Sequence, residues 1–291
     1  MYYDLNIPWP DQFYAAGPST KPASKKAKKD AQSSISAVLP SSKQADVLQG
    51  LSPIQREKMR AVTLDLSELG YNVIAYNHKV EGKFDPARHA NPFSFLHHSS
   101  QSQVQFPELD ARHSNGQQGD TNIRQLSRMT LVLNEESMGK GGHGMTAGST
   151  SALLTYDILA GQAFNDASFS LLCLSLSELK PGSIDIITID LSVSPRLPFF
   201  LKRSTVNAAI ANGVVFEICY SKVVNKGDAA AGEEGLSKAR RNIISGARDI
   251  LRVTNGKNVI FSSGATDILG LRGPNDVINL YVILCALVVY M

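Results

Sequence analysis

Residues 184–220 read IDIITIDLSVSPRLPFFLKRSTVNAAIANGVVFEICY, and this stretch carries one complete structural unit. Its two ends, 184–191 and 214–220, are short, β-branched and apolar, as strands covered on both faces are. Between them Arg203 to about Asn212 predicts a helix, and Gly213 supplies its stop. Strand, helix and strand in that order predict parallel pairing through a crossover helix.

The same alternation runs outward in both directions. Downstream, a long helix from about Glu234 to Val253 precedes the strand NVIFSS at 258–263. Upstream, RMTLVL (128–133) and YDILA (156–160) are strands, with a helix from Asp166 to about Leu174 after the second. Nearer the start, Ser52 is a good N-cap with Pro53 at the first helical position. The helix it opens shows an apolar face through Ile54, Val62, Leu66 and Leu69, and Gly70 ends it before the strand YNVIAYN at 71–77. With YYDLNIPW (2–9) the strand candidates number seven, enough to close a barrel if the sheet curls. The expectation is an α/β, TIM-barrel-like fold of mostly parallel strands with surrounding helices, one domain over residues 1–291. Low-complexity stretches near 17–50, 79–127 and 135–149 read as disordered insertions, too poor in apolar residues to order themselves.

Composition narrows the function classes. With 43% hydrophobic residues in 291 there is material for one large core. A net charge of +3 is only mildly basic and is weak evidence for nucleic acid on its own. Cys173, Cys219 and Cys285 are widely spaced in apolar runs, which reads as reduced, buried thiols of an intracellular protein. Asp4 and Asn6 interrupt any secretory leader. The apolar VINLYVILCALVVYM at 277–291 is shorter than the ~20 residues a spanning helix needs, so it reads as a core element of a soluble fold.

Several patterns bear on chemistry. Asp4 and Asn6 alternate with Leu5 and Ile7, so both polar side chains leave the strand on one side. They are half of a metal site or what remains of one. Asp4, Asp190 and Glu217 would suit Mg²⁺ or Mn²⁺, but nothing in the sequence forces them together. All six histidines (His78, His89, His97, His98, His113, His143) fall between the second strand and the loop after the third, so the later strands contribute none. GKGGHG (139–144) has dinucleotide-like glycine spacing but neither follows its strand directly nor opens a helix, which favours a flexible glycine loop.

The stronger signal is basic. In the long helix Leu236, Ala239, Ile243, Ala247 and Ile250 form a buried stripe, and Lys238, Arg241, Ser245, Arg248 and Arg252 step along the opposite face. A merely solvated face usually interleaves acids, and here only Asp249 is close. Arg196, Lys202, Arg203 and Arg272 add to the cluster. Arginine's planar fork suits phosphate, so these eight cationic residues are the candidates for binding a phosphate backbone.

DLNIPWP (4–10), LGYNVIAYN (69–77), LSRMTLVLNE (126–135), YDILA, IDIITIDLSVSPRLPFFLKR (184–203), GVVFEICYS (213–221), RRNIISGARDILR (240–252) and SSGATDILGLRGPNDVINL (262–280), in this order, resemble the barrel-type protein subunit of eukaryotic ribonuclease P and ribonuclease MRP. The resemblance implies a TIM-like barrel related to the polymerase-and-histidinol-phosphatase (PHP) metallohydrolases. Those carry His-x-His on the first strand where this chain has Asp4-Leu5-Asn6, a degenerate metal-site strand. It further implies a non-catalytic subunit that binds ribonuclease P RNA and MRP RNA, works in precursor tRNA 5′-leader removal and rRNA processing, and itself binds no cofactor, the Mg²⁺ lying on the RNA. Other protein subunits, especially a small one of ferredoxin-like fold, are the implied partners; no membrane is, and the place is the nucleus, in its nucleolus. Lys25, Lys26, Lys28 and Lys29 read as an import signal. In the family more chain follows RGPNDVINL, so YVILCALVVYM implies a truncated last barrel unit. The competing readings are a metal-dependent phosphoesterase of the PHP type and a barrel that binds small phosphorylated ligands.

Overall fold

The computed structural model describes residues 1–10, 51–86, 89, 91, 105–110, 123–139, 142–224 and 232–289. Seven strands form one parallel sheet in chain order: β1 (Tyr3–Pro8), β2 (Val73–Glu81), β3 (Arg124–Val132), β4 (Ile158–Ala163), β5 (Ile186–Ile189), β6 (Val215–Cys219) and β7 (Val259–Ser262). The sheet curls back on itself as a nearly closed barrel. At the seam between β7 and β1, Gly264 N–H donates to the Asn6 carbonyl (3.0 Å) and Ser263 N–H to the Asp4 carboxylate (3.0 Å).

Helices α1 (Pro53–Glu68), α4 (Asp166–Leu171), α5 (Arg203–Ala211), α7 (Gly232–Thr254) and α8 (Pro274–Val289) surround it, with one-turn helices α2 (Glu135–Met138), α3 (Thr150–Leu153) and α6 (Ser221–Val224) between. Local signals explain several ends. Ser52 caps α1 in a reciprocal box with Gln55, and Gly70 and Gly213 take the left-handed conformations (φ 92° and 87°) that end α1 and α5.

The period-two alternation of the strands sorts side chains into two environments. Met129, Leu131, Leu159, Ile187, Ile189, Phe216 and Ile218 face outward into a large apolar layer under α4, α5, α7 and α8. A smaller cluster around Ile74, Tyr76 and Ile123 packs under α1 through Met59, Val62 and Leu66. Many inward residues, among them Asn6, Asn77, Arg128, Thr130 and Glu217, are polar and buried. The strands are therefore not apolar throughout.

Several expectations change. Ile54 is 82% exposed, because it lies in the first turn of α1, past the edge of the core. Ordered chain enters both ends of the stretch read as an insertion at 79–127, since β2 continues to Glu81, β3 starts at Arg124, and Phe84, Phe106, Leu109 and Ile123 are buried. The α-helix from Asp166 stops at Leu171 and widens into a π turn over Leu172–Leu176. The apolar tail forms α8, which turns Leu280, Tyr281 and Leu284 to the core but leaves Ile278, Val282 and Ile283 exposed, so it is a core element on one face only. No described helix is long and apolar enough to cross a membrane. Cys173 is buried and Cys219 half-buried, both as free thiols, while the side chain of Cys285 lies outside the described residues.

Candidate functional site

Inside the barrel, four strands supply a closed circuit of hydrogen bonds. Arg128 Nε on β3 donates to Thr130 Oγ1 (3.1 Å), and Thr130 donates to Asn77 Oδ1 on β2 (2.7 Å). Asn77 Nδ2 donates to Asn6 Oδ1 on β1 (2.7 Å), and Asn6 Nδ2 donates to Glu217 Oε2 on β6 (3.2 Å). The guanidinium closes the ring by donating to both Glu217 oxygens (2.6 and 2.7 Å), and Arg128 also donates to the Leu5 carbonyl (2.7 Å). Both charged side chains are 0% exposed. Burial alone would raise the Glu217 pKa, but the Arg128 charge and its paired hydrogen bonds hold it below the usual carboxylate range.

Of the other two carboxylates weighed as metal ligands, Asp190 is engaged through both oxygens and Asp4 through Oδ1 alone, its Oδ2 being buried without a hydrogen-bond partner among the described residues. Asp4 Oδ1 accepts from the Asn6 and Ser263 amides (3.2 and 3.0 Å). Burial dominates its titration and, against those hydrogen bonds, pushes its pKa up to about 6. Asp190 Oδ2 takes Lys222 Nζ at 2.8 Å and Asp190 Oδ1 takes Ser192 Oγ at 2.6 Å. Burial raises its pKa less than these partners lower it, so it stays below the usual range. A cavity of about 100 Å³ separates the Asp190–Lys222 pair at the barrel mouth from the Asn6–Asn77–Thr130 floor. Among the described residues no group of three His, Cys, Asp or Glu side chains converges as a cation site. The Arg128 guanidinium already meets the charge of Glu217 and leaves no net attraction there for a second cation, so the residues present do not fit one.

The described histidines, His78, His89 and His143, lie apart from this interior. His78 sits in β2, bonded through Nδ1 to Tyr156 Oη (2.8 Å), and burial, with His89 nearby, lowers its pKa to about 4. His97, His98 and His113, like Lys25, Lys26, Lys28 and Lys29, lie outside the described residues. The glycine loop is a docked element where it is described. Gly144 (φ 80°) lies so close to Phe84 that a Cβ would meet the Phe84 carbonyl oxygen at 2.0 Å, and Phe84 N–H donates to the His143 carbonyl.

The basic candidates are all on the exterior. Lys238, Arg241 and Arg252 are exposed along α7, and Arg252 lies beside Asp249 (3.2 Å). From Arg241 to Arg252 the helix rises roughly 17 Å. Arg203 donates to Asn255 Oδ1 (2.7 Å), which brings the start of α5 to the end of α7 near Arg252. Lys202 is exposed at 3.6 Å from Asp166, and Arg196 is exposed in the loop before α5. Arg248 is half-buried, because the inward face of α7 is wider than the predicted stripe and includes Asn242, Gly246, Leu251 and Thr254, while Leu236 is only half-buried. Arg272 is separate from this group: its guanidinium donates to the Leu269 and Leu271 carbonyls, and its backbone is held by Tyr71 and Tyr220.

The family model described as "RNase P subunit p30" matches residues 1–285. The chain belongs to the RNase P subunit p30 family. Among its relatives, Protein GAMETOPHYTE DEFECTIVE 1 of Arabidopsis thaliana is 32% identical over 75% of this chain and 34% of its own length. Ribonuclease P protein subunit p30 of Mus musculus is 29% identical over 76% of this chain and 70% of its own length. Ribonuclease P/MRP protein subunit RPP1 of Saccharomyces cerevisiae is 23% identical over 96% of this chain and 72% of its own length. The chain thus spans about a third of the Arabidopsis protein.

For this p30-family chain, sequence reasoning found Asp4, Asn6 and Glu217 but missed Arg128, which pairs with Glu217 and closes the circuit that runs through Asn6. A signal was present. Arg128 opens the apolar run RMTLVL and Glu217 lies in the middle of VVFEICY, and buried charges are almost always paired.

Proposed function

We propose that this p30-family chain is a non-catalytic protein subunit of ribonuclease P and ribonuclease MRP, which holds the catalytic RNA through the outward basic face of α7 and the adjoining start of α5. The work served is precursor tRNA 5′-leader removal and, in the MRP particle, rRNA processing, with Mg²⁺ bound by RNA and no cofactor on this chain. The family match over residues 1–285 carries this reading. The exposed Lys238, Arg241, Arg203 and Arg252 support it, because RNA phosphates are met by arginine and lysine on an accessible face. Partnership with a small ferredoxin-like subunit, kinship with PHP metallohydrolases and a nucleolar place in the nucleus belong to the same proposal. The phosphoesterase alternative is disfavoured by the engagement of Glu217 with Arg128 and of Asp190 with Lys222.

The test is a salt titration of binding to ribonuclease P RNA, comparing the chain with a K238Q/R241Q/R252Q variant. Each lost phosphate contact should reduce the slope of log K against log salt by about 0.9, so the slope should flatten by roughly two to three. Base preference should not relax, because phosphate contacts position and do not read sequence. Coincident slopes would show that this face is only solvated.

A further inference from the structure

We infer that the Arg128 guanidinium is the resident cation of the barrel interior: the chain itself fills, from β3, the central position where a barrel with a metal-binding first strand would hold a divalent ion. The hydrogen-bond circuit is the evidence. It begins at Arg128, passes through Thr130, Asn77 and Asn6, and ends on Glu217, with each residue donating to the next. The guanidinium then meets Glu217 directly through two further bonds of 2.6 and 2.7 Å and reaches β1 through the Leu5 carbonyl. Asn6 therefore presents its carboxamide nitrogen to Glu217 and its oxygen to Asn77. In that orientation its oxygen already accepts from Asn77 and its nitrogen, an amide donor, cannot ligate a cation. Asp4 Oδ2 is buried without a hydrogen-bond partner among the described residues, but it stands alone, because Asn6 and Glu217 turn to hydrogen-bond partners instead.

The substitution has a chemical consequence. A metal-held interior depends on metal supply, on chelators and on the protonation of its ligands. A guanidinium does not lose its proton in proteins and is tethered covalently, so the interior is complete as soon as the chain folds. The planar fork also matches the two Glu217 oxygens in a way neither lysine nor a spherical ion does.

Arg128→Ala removes the cation and leaves Glu217 buried beside a guanidinium-sized space. The full-length variant should melt roughly 10 °C below the parent chain, the loss expected when a buried pair is broken in a domain of this size. Guanidinium chloride at low millimolar concentration, far below its denaturing range, should then raise the variant's melting temperature by several degrees. Sodium chloride or urea at the same concentration should not, and the parent chain should respond to none of the three. The parent chain should also melt identically with Mn²⁺ and with EDTA. If Arg128→Ala does not fold, the double variant R128M/E217M carries the test, since removing both charges should restore a folded barrel close to the parent in stability. The inference is overturned if guanidinium gives the folded single variant no more than sodium chloride does, if the double variant is also unfolded, or if EDTA destabilises the parent chain.

Discussion

Inside the barrel, Arg128 shows no surface to solvent and donates to Glu217, Leu5 and Thr130, whereas on the outer face of α7 Arg241 lies exposed and donates to the Ser237 carbonyl of its own helix. The two side chains are chemically identical. Taking a guanidinium out of water is costly enough that a buried one must be fully paired, and once paired its partners cannot be removed cheaply. An exposed one keeps its water, contributes little to folding and remains available to an anion. Burial, and not residue type, separates Arg128, which holds the fold, from Arg241, which lies on the face proposed to meet RNA.

The comparison breaks first at Glu217. Glu217→Ala leaves Arg128 charged and unpaired in the barrel, and should lower the unfolding free energy by about 3–5 kcal/mol. Arg241→Ala, measured in the same urea series, should change it by less than about 0.5 kcal/mol. Equal effects at the two positions would mean that the interior pair is solvated and the contrast false.

A pH series sharpens it next. The Asp4 carboxyl titrates near 6 in the folded chain, raised by burial, against an ordinary value of 3.8. Between these values the folded state keeps a proton that the unfolded state has lost. This group therefore favours folding most at low pH, and its contribution falls as pH rises from about 4 to about 6, by on the order of 3 kcal/mol. Glu217 and Asp190, with lowered pKa values, act in the opposite sense, losing their contribution as pH falls. The difference in unfolding free energy between Asp4→Asn and the parent chain should accordingly grow in favour of the variant across that window and stay level above it. A flat difference would show that Asp4 is ionised throughout.

The smallest effect is expected outside. The K238Q/R241Q/R252Q variant should melt within about 2 °C of the parent, because glutamine retains helix propensity and the buried side of α7, through Ile243, Ala247, Ile250 and Leu251, is untouched. A much larger drop would mean that these cations pack against the barrel and belong with Arg128 after all.

Much of the architecture could be read from local chemistry. Ser52 with Pro53 marks the start of α1, Gly70 and Gly213 mark helix ends, and the strand cores of β1 to β7 all fall within runs legible in the sequence. Each of these is decided within a few residues, by a cap, a positive φ or an alternation, so no distant contact is needed to see it. The strand ends were less legible. His78 to Glu81 and Arg124 to Ser127 join the sheet by pairing with each other's strand, and their own composition resembles the loops beside them.

By itself, then, the sequence determined the order of strands and helices, the side from which Asp4 and Asn6 project, and the basic face along α7, since all three follow from the periods of strand and helix. Only the tertiary structure decided what Asp4 and Asn6 project toward. The partners in the interior circuit come from β1, β2, β3 and β6, with Arg128 and Glu217 separated by 89 residues. Curling of the sheet brings those strands around one axis, and the desolvation it imposes then leaves the buried carboxylate no stable choice but the guanidinium beside it.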